Sequence, residues 1–154
     1  MEKDRFHKEE PPLVQAEKKQ LRDYLKGCRA GSPQVVALCN FIYVGKVLAE
    51  WEKAEEGFEQ ALYLPPQDRC KAEIAMRMAI QERVAVRALM EDNRSKIHDY
   101  PECYDKIQDF RKRLIVAYLS SGESDEGEIE KKTLDDLTGI RDYVLYSADI
   151  SEEQ

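Results

Sequence analysis

The sequence predicts an all-α fold of about six helices, arranged as antiparallel hairpins in a short stacked array or a compact bundle. Three observations lead there. Charged residues reach 36% against 42% hydrophobic, a balance typical of helices with ion-pair-laced outer faces. Only seven glycines and six prolines interrupt 154 residues, too few for a turn-rich β-sandwich. Apolar residues recur three and four positions apart in successive segments, and no pair of alternating strands is legible.

The length suits one domain able to bury a continuous core without metal or disulfide staples. We expect a disordered N-terminus over 1–10, a single helical domain over 11–147 and an acidic C-terminal tail over 148–154. Pro11 and Pro12 open the first helix, in which Leu13, Ala16, Leu21, Tyr24 and Leu25 form an approximate stripe up to Gly27. Lys18 and Lys19 lie on its polar face, so Lys18→Ala should change almost nothing.

The stretch GSPQ from Gly31 to Gln34 is the next punctuation mark. Ser32 suits an N-cap whose oxygen accepts free helix amides, and Pro33 suits the first turn. The second helix, Pro33 to about Leu48, is apolar nearly all round and should be buried between neighbours. The third runs through EWEKAEEGFEQALYLPP, from Glu50 to Pro66. Only Ala49 and Glu50 lie between the two, so they fold back as a hairpin or fuse.

A long fourth helix is predicted from about Asp68 to Asp92, with Ile74, Met78, Ala85 and Leu89 on one face. After DNRSKIHDY, Pro101 restarts a fifth helix carrying Tyr104, Ile107, Leu114, Ala117 and Tyr118. The acidic stretch SSGESDEGE, within 120–128, reads as a flexible loop. A sixth helix runs from about Ile129 to Tyr146 through Leu134, Leu137, Ile140 and Val144.

Net charge of −7 argues against a general nucleic-acid binder, because phosphate backbones need a cationic surface. No apolar run is long enough to span a bilayer, and MEKDRFHKEEPP is too polar for a signal peptide. The expectation is a soluble intracellular protein, cytoplasmic or nuclear. Cys28, Cys39, Cys70 and Cys103 show no CxxC spacing and read as separate, mostly buried thiols.

Catalytic patterns are weak. His98 and Cys103 stand across a proline with nothing to fix their geometry. Neither histidine has a glutamate three positions before it, as a bridged-metal bundle requires. The pairs Glu52/Glu55, Glu56/Glu59 and Glu102/Asp105 have the spacing with which all-helical nucleotide pyrophosphatases hold magnesium. Carboxylates three apart are, however, expected by chance among 31 of them. The isolated glycines form no phosphate loop. Lys106, Arg111, Lys112 and Arg113 around Phe110 form a basic strip, best read as a solvated face because Asp105 and Asp109 interleave it.

Small and aromatic residues at Ala54, Phe58 and Ala61, closed by Pro65 and Pro66 and preceded by Trp51, resemble the second helix of a tetratricopeptide repeat. Asn40 and Phe41 resemble that family's Asn-Leu step in the first helix. The resemblance covers one degenerate repeat, residues 35–66. It departs from the pattern at Ile42, where glycine is usual, and at Gly45, where an aromatic is usual. No second copy follows at the repeat's spacing.

The resemblance implies a hairpin of Pro33–Leu48 with Trp51–Leu64, with Phe58 wedged in the seam. Phe58→Ala should then cost about 3–5 kcal/mol. It further implies a concave inner face bearing Val36, Cys39, Asn40, Tyr43, Lys46 and Arg77, suited to an extended peptide. The chaperone-binding members' carboxylate clamp is not implied, since Cys70 and Ile74 stand where its cations would be.

The function expected on these grounds is a non-catalytic adaptor that binds a peptide or partner helix, with no cofactor and no metal. The alternatives are a magnesium-dependent all-α nucleotide pyrophosphohydrolase and a small structural subunit of a larger complex.

Overall fold

The structure is a computed structural model that describes the backbone of residues 10–153 and the side chains of residues 10–147. The expected N-terminal disorder therefore falls almost wholly outside the described residues. Five helices make up the fold: α1 (Pro12–Tyr24), α2 (Pro33–Ala61), α3 (Pro66–Lys96), α4 (Tyr100–Ser120) and α5 (Glu126–Glu153). The described residues contain no strand.

Six expected helices become five because α2 runs unbroken through Ala49 and Glu50 for 29 residues. Both are good helix formers, and the stretch has no proline and nothing weaker than Gly57, which costs about 1 kcal/mol against alanine. The turn between Leu48 and Trp51 therefore does not form. α2 does make an antiparallel hairpin, but with α3, and the turn is Leu62–Pro65. There the amides of Leu62, Tyr63 and Leu64 donate to carbonyls three residues back, and Pro65 and Pro66 stop α2 and start α3.

Other boundaries move outward for similar reasons. Asp99 caps α4 in the left-handed region at φ 64°. The acidic loop shrinks to Ser121–Asp125, since Asp125 Oδ1 accepts the Glu128 amide at 3.2 Å and Glu126 and Glu128 favour the positive end of α5. The segment expected as a loose tail is helical through Glu153. Gly27 and Gly122, at φ 81° and 100°, supply the left-handed residues that let the chain turn after α1 and α4. Ser32 does precede α2, but its Oγ accepts the Arg29 amide at 2.9 Å and not a helix amide.

The core is a four-helix body. Val14, Leu21 and Leu25 of the α1 segment share one buried cluster with Val35, Ala37, Leu38 and Ile42 of α2, with α1 packing directly on α4 and α5. Ile107, Phe110 and Leu114 of α4 and Ile129, Leu137 and Ile140 of α5 complete it. The burial expected of Pro33 to about Leu48 holds from Pro33 to Ile42, all buried or half-buried, whereas Tyr43, Lys46 and Leu48 are exposed. Gly45 faces Leu134 of α5: an added Cβ would lie 3.0 Å from Leu134 Cδ1. An aromatic at that position would collide with α5, which accounts for the departure noted there.

No residue of α3 belongs to the fully buried part of this core. Its two buried residues, Ala79 and Val86, face α2. From Lys46 onward α2 leaves the body, and with α3 it forms a projecting arm about 24 Å long at 1.5 Å per residue.

Candidate functional site

The arm holds together through a seam of mostly small residues. Val47, Ala54 and Ala61 of α2 meet Ala72, Ala79 and Val86 of α3, all buried or half-buried. Small side chains let the two backbones approach closely. The packing role expected of Ala54 and Ala61 is thus kept, with α3 as the partner in place of the first half of α2. Phe58 lies at the edge of the seam, 39% exposed, and is not wedged between two rods. Phe58→Ala is therefore expected to cost only about 1–2 kcal/mol, below the loss for a fully buried ring. A thermal or urea melt would check it.

α3 carries a second apolar stripe outside the seam, largely exposed. Ile74 and Met78 are 56% and 62% exposed, and Leu89 and Val84 are also open. Beside the seam, Ala54 and Gly57 of α2 with Ala75, Met78, Ala79 and Ala85 of α3 line an apolar groove of about 780 Å³. Glu50, Lys53 and Glu82 stand at its margins. This is the groove face. At the tip, Leu62 is exposed and Tyr63 is 89% exposed.

The opposite side of the hairpin is charged. The guanidinium of Arg83 lies 4.6 Å from the centroid of the Trp51 ring, a cation–π contact. Toward the body, Val44, Val47 and Leu48 with Arg83, Val86, Arg87 and Arg94 line a concavity of about 410 Å³.

The six residues expected on a concave inner face do not form one surface. Val36 and Cys39 pack against the core. Asn40 is buried, and its Nδ2 donates to Tyr100 Oη at 2.8 Å, so its amide is committed inside the fold. Tyr43 and Lys46 are exposed on α2, while Arg77 is exposed on α3. Burial pushes the Tyr100 hydroxyl above its ordinary pKa, with the Asn40 bond opposing. Asn40→Ala is expected to cost about 2 kcal/mol, because it leaves a buried hydroxyl unsatisfied. A double variant, Asn40→Leu with Tyr100→Phe, should lose less in a denaturant melt.

The catalytic patterns do not assemble. His98 is exposed with Nε2 3.4 Å from Asp99, whereas Cys103 is buried. The four thiols are free; Cys103 is buried, Cys28 and Cys39 are half-buried and Cys70 is exposed. Among the described residues, no three His, Cys, Asp or Glu side chains converge as a metal site. Glu52, Glu55, Glu56 and Glu59 are exposed on the arm, away from Glu102 on α4. Three residues of the basic strip make contacts within the fold, and Lys112 is exposed. Phe110 is buried under Lys106 and Arg113, and Arg111 reaches Glu130 at 3.2 Å.

One charged cluster was not visible in the sequence. Lys18 Nζ sits 2.7 Å from Glu10 and 3.4 Å from Asp136, and Tyr118 donates its hydroxyl to Asp136. Burial raises the Asp136 pKa, against the lowering by the Tyr118 bond and Lys18. Burial alone would lower the Lys18 pKa, but its bond to Glu10 and the nearby carboxylates raise it on balance. Their partners come from the chain's two ends, so no local spacing announces them.

Comparison with protein-family models, with curated proteins and with solved structures finds no match for this chain. None of the described helices is long and apolar enough to cross a membrane.

Proposed function

We propose that the protein is a non-catalytic helical adaptor whose docking element is the α2–α3 arm. The observation that carries this reading is the second apolar stripe of α3. Ile74, Met78 and Leu89 stand open beside a groove floored by alanine and glycine, on an element that contributes almost nothing to the body's core. Contiguous exposed apolar surface of this kind marks interaction sites. A floor of small residues between two helices accepts the ridge of a third, so the fitting partner is an amphipathic helix. A small subunit of a larger assembly would present the same surface, with the assembly as its partner.

The test is a photo-crosslinking residue placed at Met78 in the full chain, with Lys112 on the body as control. A crosslinked partner at position 78 that is absent at position 112, and is lost with Ile74→Glu and Leu89→Glu, is the expected result. Crosslinks unaffected by those changes would overturn the reading. Mg²⁺ with a nucleoside triphosphate is expected to leave the melting temperature unchanged; a rise would favour the magnesium hydrolase instead.

A further inference from the structure

We propose that Ser124, in the turn between α4 and α5, is a phosphorylation site for an acidophilic serine kinase. The adaptor reading makes no use of the acidic stretch that contains it. Three serines lie in that stretch, and the structure separates them. Ser121 Oγ is tied to the Ala117 carbonyl at 2.8 Å. Ser120 closes α4. The amides just after it, those of Ser121, Gly122 and Glu123, bond back to the carbonyls of Ala117, Tyr118 and Leu119. Drawing Ser120 out would therefore unwind the turn that follows buried Tyr118. Ser124 is exposed and belongs to no helix, and among the described residues its hydroxyl has no hydrogen-bond partner.

The carboxylates around it are equally distinct. Glu123, before the serine, is held by Lys132 at 2.7 Å. Asp125, Glu126 and Glu128, after it, are exposed and form no ion pair among the described residues. Free negative charge thus lies on the C-terminal side of the hydroxyl, where the cationic substrate groove of an acidophilic kinase reads it.

A kinase draws its substrate segment out straight, and little opposes that here. The first turn of α5 consists of exposed Glu126, Gly127 and Glu128, and Ile129 is the first buried residue. Gly127 is a weak helix former. The side-chain cap on this turn is Asp125 Oδ1, which accepts the Glu128 amide at 3.2 Å. Ser124 to Glu128 can fray without disturbing the core. In the step itself, Ser124 Oγ attacks the γ-phosphorus of ATP held with Mg²⁺ by the kinase. The Oγ–phosphorus bond forms as the bond from phosphorus to the β,γ-bridging oxygen breaks. ADP leaves with that electron pair, and the hydroxyl proton passes to the kinase's base. The product adds about −1.5 to −2 charge at the start of α5. It lies on the body and not on the arm, so this site and the groove can fail separately.

The test incubates the full chain with ATP, Mg²⁺ and an acidophilic serine kinase and maps the product by fragmentation mass spectrometry. Phosphate at Ser124 is expected, lost in Ser124→Ala and retained in Ser120→Ala with Ser121→Ala. Glu126→Gln with Glu128→Gln, which leaves the Asp125 cap in place, should lower kcat/KM at least about tenfold. Gly127→Ala, whose added Cβ would make an ordinary 3.5 Å contact with Asp125 Oδ1, should stiffen the turn and slow the reaction about fivefold. Ser151, whose side chain lies outside the described residues, is also followed by two glutamates, and phosphate confined to it would overturn the proposal. So would no incorporation while an acidic control peptide is modified. Incorporation indifferent to Ser124→Ala, to loss of the two glutamates or to Gly127→Ala would overturn it as well.

Discussion

Leu38→Ala is expected to destabilise the protein by about 3–4 kcal/mol, whereas Ile74→Ala should stay within about 0.5 kcal/mol of wild type. Both residues are large aliphatics on long helices, and the sequence pattern treats both as core. Leu38 is fully enclosed in the main core, so truncation removes transfer energy and leaves a cavity. Ile74 is 56% exposed on α3, outside the main core. Urea melts of dilute protein measure the contrast. Equal losses at the two positions would show that α3 belongs to the main core, and the arm as described would be wrong.

Lys18→Ala is expected to cost about 2–3 kcal/mol near neutral pH, against the negligible effect its lysine-rich helix face suggests. The Lys18 and Asp136 side chains are only 18% and 14% exposed. Removing one partner of a shielded pair leaves the other charge uncompensated; full burial would cost about 3–5 kcal/mol, and the Tyr118 bond that remains keeps this case lower. The pH dependence has a definite sign. Burial holds the Asp136 carboxyl above its ordinary value of 3.8, so the folded state binds this proton more tightly than the unfolded chain. The associated stability is complete below the unfolded pKa and is lost as pH rises through the folded one.

Lys18→Ala removes a lowering influence and moves that folded pKa further up. The deficit should therefore be largest where Asp136 is ionised and should shrink as pH falls through its pKa. Denaturant melts from about pH 7 to about pH 4 would show the convergence. A deficit independent of pH would mean that the lysine acts only through its aliphatic stem.

Much of the architecture was legible because it is written in local signals. Pro33 after Ser32, the Pro65–Pro66 pair and Gly27 mark helix ends by backbone chemistry, and each stands at an end in the structure. The enclosed stretch of α2 from Pro33 to Ile42 was legible because its apolar residues leave no polar face. Two features were not. The unbroken passage through Ala49 and Glu50 was obscured by a repeat-like pattern that demanded a turn where neither residue favours one. On α3, the stripe of large residues at Ile74, Met78 and Leu89 dominates the periodicity, while packing runs through Ala72, Ala79 and Val86. Small residues give a weak hydrophobic signal, yet they set how closely helices approach.

The candidate site was harder to foresee for the same reason. Asn40 and Arg77 were grouped by a family pattern, whereas the fold turns one into the core and leaves the other on the arm. The open groove depends on which of two apolar faces α3 spends on α2, and that choice is made by tertiary contact. The Lys18–Asp136 pair joins α1 to α5 across most of the chain, beyond the reach of helical spacing.

The absence of a joint in α2 has a mechanical consequence. Its first half is clamped by three neighbours and its second half is half of a lever. With continuous backbone hydrogen bonding between them there is no pivot at which the projecting part can swing. Load applied at the tip near Tyr63 is therefore carried as bending and torque into the packing around Ile42 and Gly45, and whatever grips the far end also strains the centre of the molecule.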